Sequence, residues 1–187
     1  MTSMRNPARA GLIGLLLLAP SAALAGEPAP FSAREGEGLA RSAAEAWAAD
    51  AQLVYLENDE AISDAGRSGR WGYLFWSPMR EEARAYSVRD GKIRTATDLG
   101  FDFPAPPLDS AWIDSAKALA VADEEKGADF REKHGGELRA MLLVRGVLHP
   151  DEPDATTWAI VYDSETTSGL WVVVDARTGK VVKTWRG

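Results

Sequence analysis

Two histidines, His134 and His149, are the only imidazoles in the chain, and cysteine is absent. That removes thiolate metal ligands, cysteine nucleophiles and disulfides, and it leaves no His-Glu-x-x-His zinc helix and no histidine pair at ligand spacing. His149 precedes Asp151, Glu152 and Asp154, whose oxygens could hold a hard cation. Pro150 and Pro153 stiffen this stretch, and no EF-hand glycine follows the acids, so it reads first as a solvated acidic loop. Cation binding or enzymatic chemistry at this His149 loop is the competing reading. Asp59, Glu60 and Asp64 form a second acidic stretch of the same kind. Gly66-Arg67-Ser68-Gly69 lacks the spacing of a nucleophile elbow. The carboxylate pairs Glu81-Glu82 and Glu124-Glu125 are sequence neighbours, whose side chains point apart on a helix or a strand. No catalytic residue, metal or cofactor is therefore expected.

The aromatic residues are the remaining candidates. Arg70 to Trp76 reads Arg-Trp-Gly-Tyr-Leu-Phe-Trp, a strand with Trp71, Tyr73 and Phe75 on one face and Trp76 on the other. Core packing explains such alternation. An open aromatic surface that holds a partner is the functional alternative. Arg84 could meet a carboxylate or stack on a ring beside it. On the functional reading the partner-binding residues are Trp71, Tyr73, Phe75, Trp76, Arg84 and Trp171.

The 187 residues carry 21 Lys and Arg against 28 Asp and Glu, a formal charge of −7. This acidic balance speaks against a nucleic-acid partner, since phosphate backbones are gripped by clustered Lys and Arg. Residues 1–25 have the grammar of an export signal: Arg5 and Arg9, an apolar run from Leu12 to Ala19, Pro20, then Ala23-Leu24-Ala25 as a small-x-small cleavage site. The run is shorter than the roughly 20 residues that span a bilayer. Cleavage after Ala25 leaves 162 residues of net charge −9, located in the periplasm or secreted. Such a chain must be held together by packing alone.

Residues 26–31 read as a linker. Ala-rich helical spacing over Ser32–Asp50 predicts an amphipathic helix. Strands are predicted at Leu53–Leu56, Arg70–Trp76, Ala83–Val88 and Lys92–Thr95, with Asp90-Gly91 as a tight hairpin turn. Pro104, Pro106 and Pro107 mark a joint, after which the order repeats. A helix capped by Asp109 or Ser110 is weakened at Gly127, and Phe130 and Gly135-Gly136 fall in the connection that follows. Strands then follow at Leu138–Val144, Thr157–Tyr162, Gly169–Val174 and Lys180–Trp185. Trp71 corresponds to Trp158, and the stretches Asp50–Trp71 and Glu137–Trp158 are equally long. In the last hairpin, Asp175 can accept from backbone N–H groups two or three positions on, and Gly179 can take a positive φ. The expectation is α+β, with two repeats of a helix on a small antiparallel sheet, at 32–103 and 108–187.

The second half resembles the PepSY family of small exported domains found in peptidase propeptides and bacterial envelope proteins. The resemblance is carried by Asp114-Ser115-Ala116-Lys117-Ala118-Leu119-Ala120, Trp158-Ala159-Ile160-Val161-Tyr162, and Val174-Asp175-Ala176-Arg177-Thr178-Gly179. The first half is similar only as a degenerate copy, since Arg89-Asp90-Gly91-Lys92 replaces the longer turn. The resemblance implies cystatin-like units and a binding or inhibitory role without catalytic residues. The function expected is that of an exported, non-enzymatic envelope protein that engages a protein or peptide through its sheet. A peptidase inhibitor or regulator acting in trans is the alternative.

Overall fold

Small residues on one helix stripe and large rings on alternate strand positions set how the layers meet. In the computed structural model, residues 29–100, 104–146 and 148–187 are described. The export signal expected over 1–25 lies outside the described residues. Helix α1 (Ala33–Trp47) is followed by β1 (Gln52–Asn58), β2 (Arg70–Ser77), β3 (Glu82–Arg89) and β4 (Lys92–Leu99). Then come α2 (Ser115–Ala122), a π-helical turn (Asp123–Gly127) and α3 (Ala128–His134). Strands β5 (Glu137–Arg145), β6 (Thr156–Asp163), β7 (Leu170–Asp175) and β8 (Val181–Arg186) complete the chain. The class is α+β, as expected. All eight strands fall where turn chemistry and alternation put them, while β4 runs further, to Leu99.

The strands form one sheet, in the order β4-β3-β2-β1-β5-β6-β7-β8, with every neighbouring pair antiparallel. A small antiparallel sheet was expected in each half, with nothing in the sequence to say whether the two are continuous; β1 and β5 join them. That seam is short: Tyr55 lies opposite Val144, Leu56 opposite Leu143 and Glu57 opposite Leu142. Asn58 closes the ladder with its side chain, Oδ1 accepting from the Met141 N–H at 2.7 Å.

Both helical segments lie on one side of the sheet. There Ala33, Ala40 and Ala44 of α1 and Ala118, Leu119 and Ala122 of α2 share a single core with Leu56, Trp71, Tyr73, Phe75, Leu143, Trp158, Ile160 and Tyr162. Alanines on the helix stripe let the helices approach closely, and the rings of β2 and β6 fill the space. Trp71 and Trp158 meet edge to face, with centroids 6.4 Å apart. Each indole N–H donates to the chain just before a helix: Trp71 Nε1 to Phe31 O at 2.8 Å, and Trp158 Nε1 to Ile113 O at 2.7 Å.

Phe31, at the end of the segment read as a linker, exchanges both backbone hydrogen bonds with Ser68 at 3.0 Å. One local expectation is corrected. Gly127 does not end the second helix. The chain continues through the π-helical turn and α3, so that Phe130 is helical and buried, and stops at Gly135 with φ of 59°. A Cβ at Gly127 would overlap the Tyr162 hydroxyl and lie 2.5 Å from Asp123 Oδ1. Glycine there makes room for Tyr162 Oη to donate to Asp123 at 2.8 Å. Helix propensity argued for a break, and close packing against Tyr162 overrides it.

Candidate functional site

Alternation tells which side chains share a face, and the register then tells which face is covered. On β2 the rings of Trp71, Tyr73 and Phe75 point under α1 and are essentially inaccessible. Tyr73 Oη donates to Ala33 O at 2.7 Å, and burial pushes the phenol's pKa well above its ordinary value. Trp76 points the other way and is also buried, packed with Val54 and Ala83 beside Leu74, Leu99 and Ala105. These four rings are core, as alternation alone explains, and the open aromatic surface offered as the functional alternative on β2 is not there. Arg84 forms a bidentate ion pair with Asp98, at 2.5 and 2.9 Å, and its guanidinium lies 5.1 Å from the Trp47 ring. The hydrogen bond to Asp98 raises the pKa of Arg84, and the same bond lowers that of Asp98.

Trp171 differs from the other candidates. It projects from β7 on the side of the sheet away from the helices, half-buried and stacked on Trp185 of β8. The two rings are 5.2 Å apart and inclined by 15°. The same side carries half-buried Leu142 and Val144 of β5, and Tyr55 and Leu74 near the seam. A shallow groove of about 310 Å³ crosses the β1–β4 half of this side, floored by Gly72, Leu74 and Ala85 and edged by Tyr55 and Glu57. Tyr55 Oη donates to Glu57 Oε2 at 2.7 Å; burial, then that bond, raise its pKa. Asp59 accepts from Ser87 Oγ at 2.8 Å at the end of this groove. The helix-free side is thus a mixed apolar and polar surface.

The His149 loop is organised as structure. His149 Nδ1 accepts from the Asp151 and Glu152 N–H groups at 3.2 and 2.9 Å, which occupies one ring nitrogen. Its Nε2 faces Asp175 Oδ2 at 3.9 Å. Asp175 does what the hairpin needs. Its Oδ1 accepts from the Arg177 N–H at 3.0 Å, the Thr178 N–H at 2.6 Å and the Thr178 hydroxyl at 2.8 Å. Burial pushes this carboxyl up, but the Thr178 and Arg177 hydrogen bonds outweigh it and hold the group below the ordinary aspartate range. Among the described residues no group of three or more His, Asp or Glu is placed to hold a metal ion.

Sequence reasoning missed the place where the two helical segments meet. The N-terminus of α1 abuts that of α2, and Asp114 Oδ1 accepts from the Ser115 N–H at 2.7 Å and the Arg34 N–H at 3.0 Å. Ser115, fully buried, accepts from the Ala33 N–H at 3.1 Å and donates to Gly66 O at 2.7 Å. Arg34 lies over the Trp112 ring at 3.5 Å and donates to the Trp112 carbonyl. The signal was present, since Asp114-Ser115 is a capping pair, but its second helix could not be read locally.

No family model matches the chain, and no curated protein matches it. Among solved structures it is similar to a crystal structure of a putative lipoprotein from Clostridium difficile 630, with a TM-score of 0.53 and 15% identity. The likeness covers 79% of this chain and 90% of that one, and it is a likeness of fold. Among the described residues no helix is long and apolar enough to cross a membrane.

Proposed function

We propose that the chain is an exported, non-enzymatic binding protein of the bacterial envelope, built from two PepSY-like units that share one sheet and hold a protein or peptide partner on the helix-free side. The duplication is supported by the seam itself. Leu56 lies opposite Leu143, and these residues have the same sequence spacing as Trp71 and Trp158, which also touch. Tyr55 opposite Val144 and Glu57 opposite Leu142 are mates under the same correspondence. Equivalent positions meeting each other is what a two-fold axis between two copies produces. The indole bonds to Phe31 O and Ile113 O repeat the relation one layer further in.

The observation that carries the binding role is the half-buried Trp171–Trp185 stack on the side without helices. Large rings left partly in water, on a side that also carries half-buried Leu142 and Val144, are the composition of a contact surface. The leader expected over 1–25 supports export, and the neighbour described as a putative lipoprotein suits an envelope setting. The test is affinity capture from an envelope extract with the mature chain and its Trp171→Glu counterpart, each checked for an unchanged melting temperature. A partner identified by mass spectrometry should be held by the wild type and reduced at least tenfold with Trp171→Glu. Equal recovery by both proteins sinks the reading.

A further inference from the structure

Strand β8 ends the sheet order, so among the described residues one of its edges has no strand beside it. The Gly187 N–H donates to Gly169 O at 3.1 Å, which sets the alternation along this strand. Lys183 and Trp185 therefore turn their backbone groups toward β7, and Thr184 and Arg186 turn theirs outward. Beside this edge lies a groove of about 440 Å³ between β8 and α3, floored by Phe130 and walled by Lys126, Lys133, Arg186 and Trp185.

The charges around it are unlike those of the rest of the chain. Overall, acids outnumber bases, 28 to 21. Yet Lys126 donates to the Thr184 hydroxyl at 3.2 Å, Arg186 to the Thr167 hydroxyl at 2.9 Å, and Lys183 stands 5.1 Å from the Trp185 ring. Among the described residues none of these three cations forms an ion pair with a carboxylate. Arg186 also lies over the Phe130 ring at 4.3 Å. The one acid in the groove, Asp129, is taken by Lys133 at 2.6 Å. Three unpaired cations beside outward-facing N–H and C=O groups form a strand-pairing edge that selects by charge.

We infer that the β8 edge and the groove between β8 and α3 accept an extended acidic peptide segment as a ninth strand. This goes beyond the proposed binding role: it adds a second site at the sheet edge, on the side where α3 lies, and names the chemistry of its ligand. Backbone pairing with Thr184 and Arg186 supplies register, and Lys126 and Arg186 receive alternate carboxylates on the groove side, while Lys183 adds positive charge on the opposite face of β8. A second copy of β8 in antiparallel register would bring Lys183 and Arg186 against their own kind, which charge repulsion opposes.

The experiment uses the isotope-labelled mature chain with two blocked decapeptides, alternating Thr-Glu and alternating Thr-Lys. The Thr-Glu peptide should shift the Thr184 and Arg186 amides and slow their hydrogen exchange at least tenfold, and the Thr-Lys peptide should do neither. Raising salt from 50 to 500 mM should weaken the Thr-Glu complex several-fold, which needs no variant. Lys126→Glu combined with Arg186→Glu should weaken it at least tenfold while spectral dispersion is kept. Equal binding of the two peptides, or Thr184 and Arg186 amides that stay unprotected, overturns the assignment. Peptide-free dimerisation through β8 in sedimentation overturns it in favour of a second copy. If the Thr-Glu peptide instead shifts Leu142 and Val144 alone, the edge assignment falls and the helix-free side stands. Loss of envelope capture with Trp171→Glu remains a separate readout of the broader role.

Discussion

Gly36→Ala sets helix propensity directly against packing. Gly36 lies inside α1, where alanine would ordinarily stabilise by about 1 kcal/mol. A Cβ there would overlap Tyr73 Oη and lie 2.7 Å from the Phe31 ring. Tyr73 is buried beneath the helix and its hydroxyl donates to Ala33 O, so it cannot swing into water without abandoning that bond. Moving the helix or the ring costs about 1–3 kcal/mol as overpacking, and an orphaned buried hydroxyl costs about 1–3 kcal/mol more. After subtracting the propensity gain, Gly36→Ala should destabilise by about 1–5 kcal/mol. For a chain of this size that lowers the melting temperature by about 2–20 °C. Urea denaturation of Gly36→Ala, Tyr73→Phe and the double variant forms the cycle. Tyr73→Phe alone should cost about 1 kcal/mol. The double variant should be more stable than the sum of the singles predicts, by at least about 1 kcal/mol, because the colliding oxygen is gone. A neutral or stabilising Gly36→Ala, or a cycle with no coupling, refutes the close approach of α1 to β2.

Three further outcomes are expected, two from the geometry and one from the leader read in the sequence. Ser115→Ala leaves the buried Ala33 N–H and Gly66 O without their partner and should cost about 2–3 kcal/mol in urea denaturation, although the change removes a single oxygen. Asp175 titrates below its ordinary value in the folded chain, so on acidification the unfolded chain takes up the proton first. Its stabilisation is complete above the unfolded aspartate value and drains away as pH falls through the lowered folded one. Urea midpoints from pH 6 down to pH 2.5 should therefore fall more steeply for the wild type than for Asp175→Asn, and parallel curves would contradict this. Amino-terminal sequencing of the exported protein should begin at Gly26, and an intact Met1 start would overturn the export signal.

The strands were legible because their boundaries are written in local chemistry. Asp90 and Gly91 both adopt positive φ, 55° and 61°, as a two-residue hairpin demands. Asp175 and Gly179 (φ 69°) close the last hairpin as their residue types require. The meaning of the aromatics was not legible. Alternation assigns Trp71, Tyr73 and Phe75 to one face but cannot say that α1 covers it. Nor can it say that Val54 and Ala83 bury Trp76 on the other side. The joining of the halves depends on Leu56 meeting Leu143, a long-range pairing with no turn to announce it. The π-helical turn at Gly127 was hidden for a similar reason, since its cause is Tyr162, far along the chain. Of the candidate binding residues only Trp171 kept a partly open ring, because it alone stands near a sheet edge on the side without helices.

The central claim is that the helix-free side of the shared sheet is where a partner sits. Photo-crosslinking in the living cell tests it most directly, with a benzophenone side chain placed singly at Leu142, at Lys183 or, as a control, at exposed Glu45 on α1. A discrete adduct of one defined partner from Leu142 and from Lys183, with none from Glu45, is the predicted result. Adducts from Glu45 alone, or none from either sheet position, would contradict it.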